Sequence, residues 1–134
     1  MIIRDLKDCR EITAGDGSAL RELFHPDQGP FQFDYSLARA VVKPGGETNP
    51  HRLKNSEVYY ILEGRGLMHI EQETAEVSAG QAVYIPPFHI QFIENTGATD
   101  LAFLCIVDPA WKPEDEEVLP DGRPGRARAS VKKT

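Results

Sequence analysis

Residues 45–64 read GGETNPHRLKNSEVYYILEG, and the fold is decided by how this stretch is read. Turn-forming residues punctuate both ends, Pro44-Gly45-Gly46 in front and Glu63-Gly64 behind. Between them Glu57 opens the run Val58-Tyr59-Tyr60-Ile61-Leu62, in which every side chain is aromatic, branched or apolar. Such a run reads as a strand buried on both faces, with Glu57, Tyr59 and Ile61 sharing one side. A carboxylate at the head of a buried strand is costly unless it is paired, protonated or bound to a metal. His51 precedes it by six residues and supplies an imidazole to the same neighbourhood.

The spacing resembles the first motif of the cupin family of small β-barrels, which runs glycine, five residues, His-x-His, three or four residues, glutamate, six residues, glycine. Gly45, His51, Glu57 and Gly64 fall on it in register, whereas Leu53 takes the place of the second histidine. Residues 80–95, GQAVYIPPFHIQFIEN, resemble the second motif. Gly80, Pro86 and Asn95 match, Phe88 replaces a glycine, and Gln91 stands where the family's third metal-binding histidine would be. The resemblance implies an all-β fold, a double-stranded β-helix of the cupin or jelly-roll type. Many cupins hold one divalent metal, so it also implies a metal site, here altered at two of four ligand positions.

At 134 residues the chain suffices for one domain with its own apolar core. We expect an N-terminal strand and turn over 1–19, a barrel over 20–110 and an extended, charged, mobile tail over 111–134. No stretch approaches the ~20 apolar residues of a membrane span, and the first residues lack a signal-peptide core. A cytoplasmic protein with no membrane partner is the expectation, with Cys9 and Cys105 as reduced thiols. The net charge of −6 is uneven. Arg123, Arg126, Arg128, Lys132 and Lys133 sit in an acid-free segment, leaving 10 basic against 21 acidic residues, −11, in the rest. An acidic body of that kind repels nucleic acid, so none is expected as a partner. The basic segment reads as a solvated terminus that is removable without loss of folding.

Ile2 to Arg4 reads as a short strand and Ala14 to Ser18 as a turn; Leu20 to Phe24 fits either a strand or one helical turn. His25 falls in a Pro/Gly-punctuated loop, as a surface or interface residue or one reaching over the barrel mouth. Asp34 to Lys43 is the first long strand, with Ser36, Ala38, Ala40 and Val42 on one face and Arg39 pointing outward on the other. Short strands follow at Leu67 to Glu71, Ala75 to Ser78, Gln81 to Ile85, Ile90 to Asn95 and Asp100 to Val107, a cadence that argues for a sandwich or barrel. His69 alternates with Met68 and Ile70 and faces out. Trp111 is expected to dock the outgoing chain on the barrel or on a partner subunit, and Glu114 to Glu117 is read as solvated or as half of an electrostatic contact with the basic tail.

Parity completes the candidate site. His89 and Gln91 share a face when one strand carries both, which gathers His51, Glu57, His89 and Gln91 inside the barrel. These four are the expected ligands of one divalent transition metal, whether Zn, Fe, Mn, Ni, Co or Cu. Tyr59 and His89 are the expected substrate-binding residues; no catalytic residue is assigned. The alternative is a metal-free barrel in which Glu57 pairs with His51 and Gln91 completes a hydrogen-bond network. The function expected is a metal-binding cupin that binds or acts on a small polar organic molecule such as a sugar phosphate or small acid, as an isomerase, dioxygenase or decarboxylase. A non-catalytic sugar- or acid-binding cupin and a structural homodimer with a vestigial site are the alternatives. A homodimer is expected in any case, because an open barrel edge exposes backbone groups that a second subunit covers.

Overall fold

Residues 1–119 are described by the computed structural model. Eleven strands form two sheets: β1 (Glu11–Thr13), β2 (Ala19–Phe24), β3 (Ser36–Val42), β4 (His51–Leu53), β5 (Ser56–Glu63), β6 (Arg65–Ile70), β7 (Glu73–Ser78), β8 (Ala82–Ile85), β9 (Gln91–Asn95), β10 (Leu101–Asp108) and β11 (Glu116–Val118). One sheet has the order β1-β2-β3-β10-β5-β8 and the other β11-β4-β9-β6-β7. Helix among the described residues is confined to three short 3₁₀ turns. This is an all-β fold, as the cadence of short strands predicts, and the double-stranded barrel that the resemblance to cupins implies.

The inner faces grade from apolar to polar along the barrel. At one end Ala40 lies opposite Phe103, and Phe103 opposite Ile61, so a small residue makes room for a large one across the ladder. Met68, Val77, Ile93 and Leu101 complete that apolar end. Two rungs along, Ser36 pairs with Val107 and Val107 with Glu57, while His51 pairs with Gln91 in the facing sheet. The polar residues therefore collect at one end of the barrel, on strands that the apolar end holds in register.

β3 alternates as expected, with Ser36, Ala38, Ala40 and Val42 buried and Arg39 on the outer face. β5 does not match the expectation of burial on both faces. Glu57, Tyr59 and Ile61 are buried, but Tyr60 and Leu62 are each 41% exposed, because no layer of the described chain covers that side of the sheet. Ile2 to Arg4 forms no strand; the first strand is β1, paired with β2. Asn95, matched to the second motif, proves to be a structural brace. Its amide donates to the carbonyls of Val42 and Thr99 and accepts from the Gly97 N–H, tying three segments together.

The chain beyond the barrel is docked as far as it is described. Asn55 donates to the Pro109 carbonyl, Trp111 N–H to Ser36 Oγ and Ala110 N–H to the Asp34 carbonyl, and β11 pairs with β4. His25, expected in a surface loop, is buried instead: its Nδ1 accepts from the Asp27 N–H and its Nε2–H donates to the Trp111 carbonyl. The expected mobile tail thus does not begin at 111. The part of that expectation concerning Gly122 to Thr134 lies outside the described residues. Cys9 and Cys105 are unpaired, and no helix among the described residues is long and apolar enough to cross a membrane.

Candidate functional site

At the polar end the two sheets and the docked C-terminal segment border a cavity of about 230 Å³. β4 supplies His51, β5 supplies Glu57 and Tyr59, the β1–β2 turn supplies Asp16, and the C-terminal segment supplies Trp111 and Glu116. Leu20, Leu53 and Val107 form apolar wall. Among the described residues no lysine or arginine lines it.

His51 is 2% exposed, and its Nδ1–H donates to the Asn49 carbonyl at 2.7 Å. That bond leaves Nε2 as the bare nitrogen of the neutral ring, turned to the cavity side, where Asp16 Oδ2 lies 3.8 Å away. Asp16 is fixed in turn, since Oδ1 accepts from both the N–H and the hydroxyl of Ser18, at 3.0 and 2.7 Å. Glu57 is braced from behind. Tyr59 donates its hydroxyl to Gln91 Oε1 at 3.0 Å, and Gln91 Nε2 donates to Glu57 Oε1 at 2.8 Å.

Burial dominates the acid–base behaviour of these groups. It raises the Glu57 carboxyl to about 7, helped by the like charges of Asp16 and Glu116 and opposed by the Gln91 hydrogen bond and by His51. Glu116 is raised as well, by burial first, with Asp16 adding and His51 and the Trp111 indole hydrogen bond opposing. Burial likewise holds the Tyr59 hydroxyl and the Cys105 thiol well above their ordinary ranges, so both stay protonated and Tyr59 remains a donor.

Of the four expected ligands, His51 and Glu57 reach the cavity. Gln91, 1% exposed, stands behind Glu57 with its amide engaged at both ends. His89 is not on the strand with Gln91, because β9 begins only at Gln91. Pro86 to Ile90 is a turn in which Phe88 takes φ 67°, the left-handed region that the glycine of the resembled motif would adopt readily. The reversal breaks the parity, and His89 Nδ1–H donates locally to the Pro87 carbonyl at 3.0 Å. His89 is absent from the cavity wall, so the structure does not bring it to the substrate position either. Asp16 and Glu116 were not foreseen. The first sits in a glycine-flanked turn and the second in an acidic run read as solvated, and neither carries a periodic signal that points inward.

The four expected ligands do not assemble into the metal centre that the motifs imply. An amide is substituted for one imidazole and is satisfied within the protein, and a leucine for another. No group of three or more His, Cys, Asp or Glu side chains among the described residues gathers as metal ligands do. What the groups form instead is a carboxylate-rich pocket around one imidazole, joined to the hydrogen-bonded row Tyr59–Gln91–Glu57.

Comparison with known proteins agrees with the fold. The family pattern of the cupin domain matches residues 38–107, which carry both motifs. An uncharacterised protein of Methanocaldococcus jannaschii is 47% identical over 107 residues, covering 78% of this chain and 83% of that one. An oxalate-binding protein of Thermotoga maritima is 35% identical over 72 residues, 53% of this chain and 60% of the relative. Among solved structures, the polyketide cyclase RemF of Streptomyces resistomycificus superposes with a TM-score of 0.74 at 22% identity, covering 96% of this chain and 92% of that one, a likeness of fold alone. With the family pattern spanning both motifs and the strands between them, the chain belongs to the cupin family.

Proposed function

We propose that this cupin binds a small polar organic molecule in the cavity bounded by Asp16, His51, Glu57, Tyr59, Trp111 and Glu116. The observation that carries the reading is the cavity itself, a partly open concave space lined by apolar wall and fixed polar groups, as ligand sites are built. At about 230 Å³ it falls below the ~300–1,000 Å³ of drug-sized pockets, which limits the ligand to metabolite size. Among the relatives, the Thermotoga maritima protein is described as oxalate-binding, which supports a small-molecule role without fixing the molecule.

Trp111 is the only tryptophan of the chain and lines the cavity, so its fluorescence reports occupation. Titration with a panel of sugar phosphates, diketones, small acids and amines is expected to give a saturable change for at least one compound. His51→Ala should weaken that response at least tenfold and leave the barrel folded, because the apolar end does not depend on the site. A panel without any saturable response sinks the reading; turnover of a responding compound would make the protein an enzyme.

A metal-loaded form is the second reading. The observation favouring it is the fixed His51 ring, whose Nδ1–H is held by a carbonyl while Nε2 is left bare, the way ligating imidazoles are oriented. Elemental analysis of protein purified without chelators or a metal-binding tag separates the readings: close to one transition metal per chain supports the second, and a trace that stays low after zinc, iron or manganese is added removes it.

A homodimer is part of the proposal. Tyr84 on the edge strand β8 is 61% exposed, and with Tyr60 and Leu62 on β5 it leaves an apolar outer face beside an open sheet edge. Sedimentation is expected to give twice the chain mass at micromolar concentration; monomer mass throughout that range rules the dimer out.

A further inference from the structure

Carboxyl groups dominate the polar wall of the cavity. Asp16, Glu22, Glu57 and Glu116 bring four carboxyl groups to it, and His51 brings its Nε2, which is bare when the ring is neutral. Three of the donors that border the space are engaged within the protein: Ser18 gives its hydroxyl to Asp16, Tyr59 gives its hydroxyl to Gln91, and the Trp111 indole bonds Glu116, while the hydroxyls of Thr13 and Ser36 also line it. Among the described residues no lysine or arginine lines the cavity to offset the carboxylates.

His51 gives this arrangement its direction. The side chain is buried to 2% exposure and its Nε2 makes no hydrogen bond within the described chain. The nearest charged atom, Asp16 Oδ2, lies 3.8 Å away, beyond hydrogen-bond reach. In the neutral ring, Nε2 and Oδ2 are two acceptors facing one another with nothing to share. Buried acceptors in that position are satisfied by a group that donates in several directions.

We propose that the ligand is a small organic cation carrying a primary ammonium group, which donates to His51 Nε2 and the Asp16 carboxylate together, and that free anions are rejected. The inference rests on the reading of the cavity as a ligand site and narrows its ligand class. An ammonium has three donors and no acceptor, the complement of this wall. A phosphate or dicarboxylate has the opposite inventory and would meet carboxylates with no cation between, which costs affinity through like-charge repulsion.

Three-carbon probes that differ only in their end groups test the idea on the full-length protein, with Trp111 fluorescence and calorimetry as readouts: 1,3-diaminopropane, 1,3-propanediol and malonate. The diamine is expected to bind at one per chain with a Kd at least tenfold below that of the diol, and malonate not at all. Asp16→Asn should weaken the diamine at least tenfold. Glu116→Gln, in the docked terminal strand, gives a second variant should the turn around Asp16 depend on its charge. Glu73→Gln, on the exposed face of β7, should leave binding unchanged. Malonate or diol binding as tightly as the diamine, with the response lost in His51→Ala, overturns the cation class and keeps the cavity as a ligand site. Diamine binding that falls equally in Asp16→Asn and Glu73→Gln is surface attraction and overturns the inference. So does zinc binding one per chain that displaces the diamine, since the cation would then be a metal ion. If none of the three probes binds and the wider panel is also silent, both readings fail together.

Discussion

Gly64→Ala is expected to destabilise the barrel by about 4 kcal/mol, a large part of the ~5–15 kcal/mol that holds a domain of this size together. Gly64 is the single residue between β5 and β6, and its φ of +84° lies in the left-handed region. That conformation alone costs a side-chain-bearing residue about 1–2 kcal/mol. The larger part comes from space: a Cβ there would lie 2.4 Å from the Asp100 carbonyl oxygen and 3.1 Å from the Leu101 Cα. Both atoms are backbone at the start of β10, the strand bonded to β3 on one side and β5 on the other, so neither can move without disturbing the centre of the sheet. Gly80 supplies the control. Its φ is +93°, yet a Cβ there meets nothing within 4 Å, so Gly80→Ala should cost only the conformational part, about 1–2 kcal/mol. Urea unfolding of the two variants checks the difference, and equal costs would show that close approach of the backbone is not what requires glycine at 64.

The same pair of glycines shows what kind of information the sequence carries. Alternation is a local property, so β3, β5 and β10 and the inward set Ser36, Ala38, Ala40, Glu57, Tyr59 and Ile61 can be read directly from residue types two apart. Glu57 was legible for the same reason, lying on a strand whose inward face is fixed by its neighbours, and His51 through its spacing in the cupin-like motif. Asp16 and Glu116 were not, because they reach the cavity from a turn and from the returning C-terminal segment. The position of Glu116 follows from where β11 pairs with β4, residues more than 60 apart, and that of Asp16 from the turn whose carbonyl accepts from the Asn49 N–H, contacts that no period encodes. His89 failed differently: parity holds only within an unbroken strand, and the turn at Phe88 broke it one residue before His89. The exposed side of β5 is a third case. An apolar run states that burial is favourable but cannot say whether a covering layer lies within the same chain.

The stability of the protein is expected to fall as pH rises through about 7, and Glu57 is the group responsible. Its carboxyl is raised from 4.5 to about 7, chiefly by burial, so between those values the folded protein keeps a proton that the unfolded chain has released. The stability contribution is therefore fully present below pH 4.5 and is lost as pH rises through the folded value. A shift of that size corresponds to about 3 kcal/mol. Glu57→Gln isolates it, because the variant keeps an oxygen to accept from Gln91 and has nothing to ionise. Near pH 4 the two proteins should unfold at similar denaturant concentrations; by pH 8 the variant should be the more stable by about 3 kcal/mol. The remaining cavity groups are common to both proteins and cancel to first order in the difference. A gap that stays flat from pH 4 to 8 would mean that the Glu57 charge is compensated in the folded state, which with no lysine or arginine among the described residues of the wall points to the His51 imidazolium or a bound cation. Repeating the measurement with 1,3-diaminopropane present tells these apart, since a bound ammonium lowers the pH at which Glu57 ionises and narrows the gap, whereas an imidazolium already in place does so without the added amine.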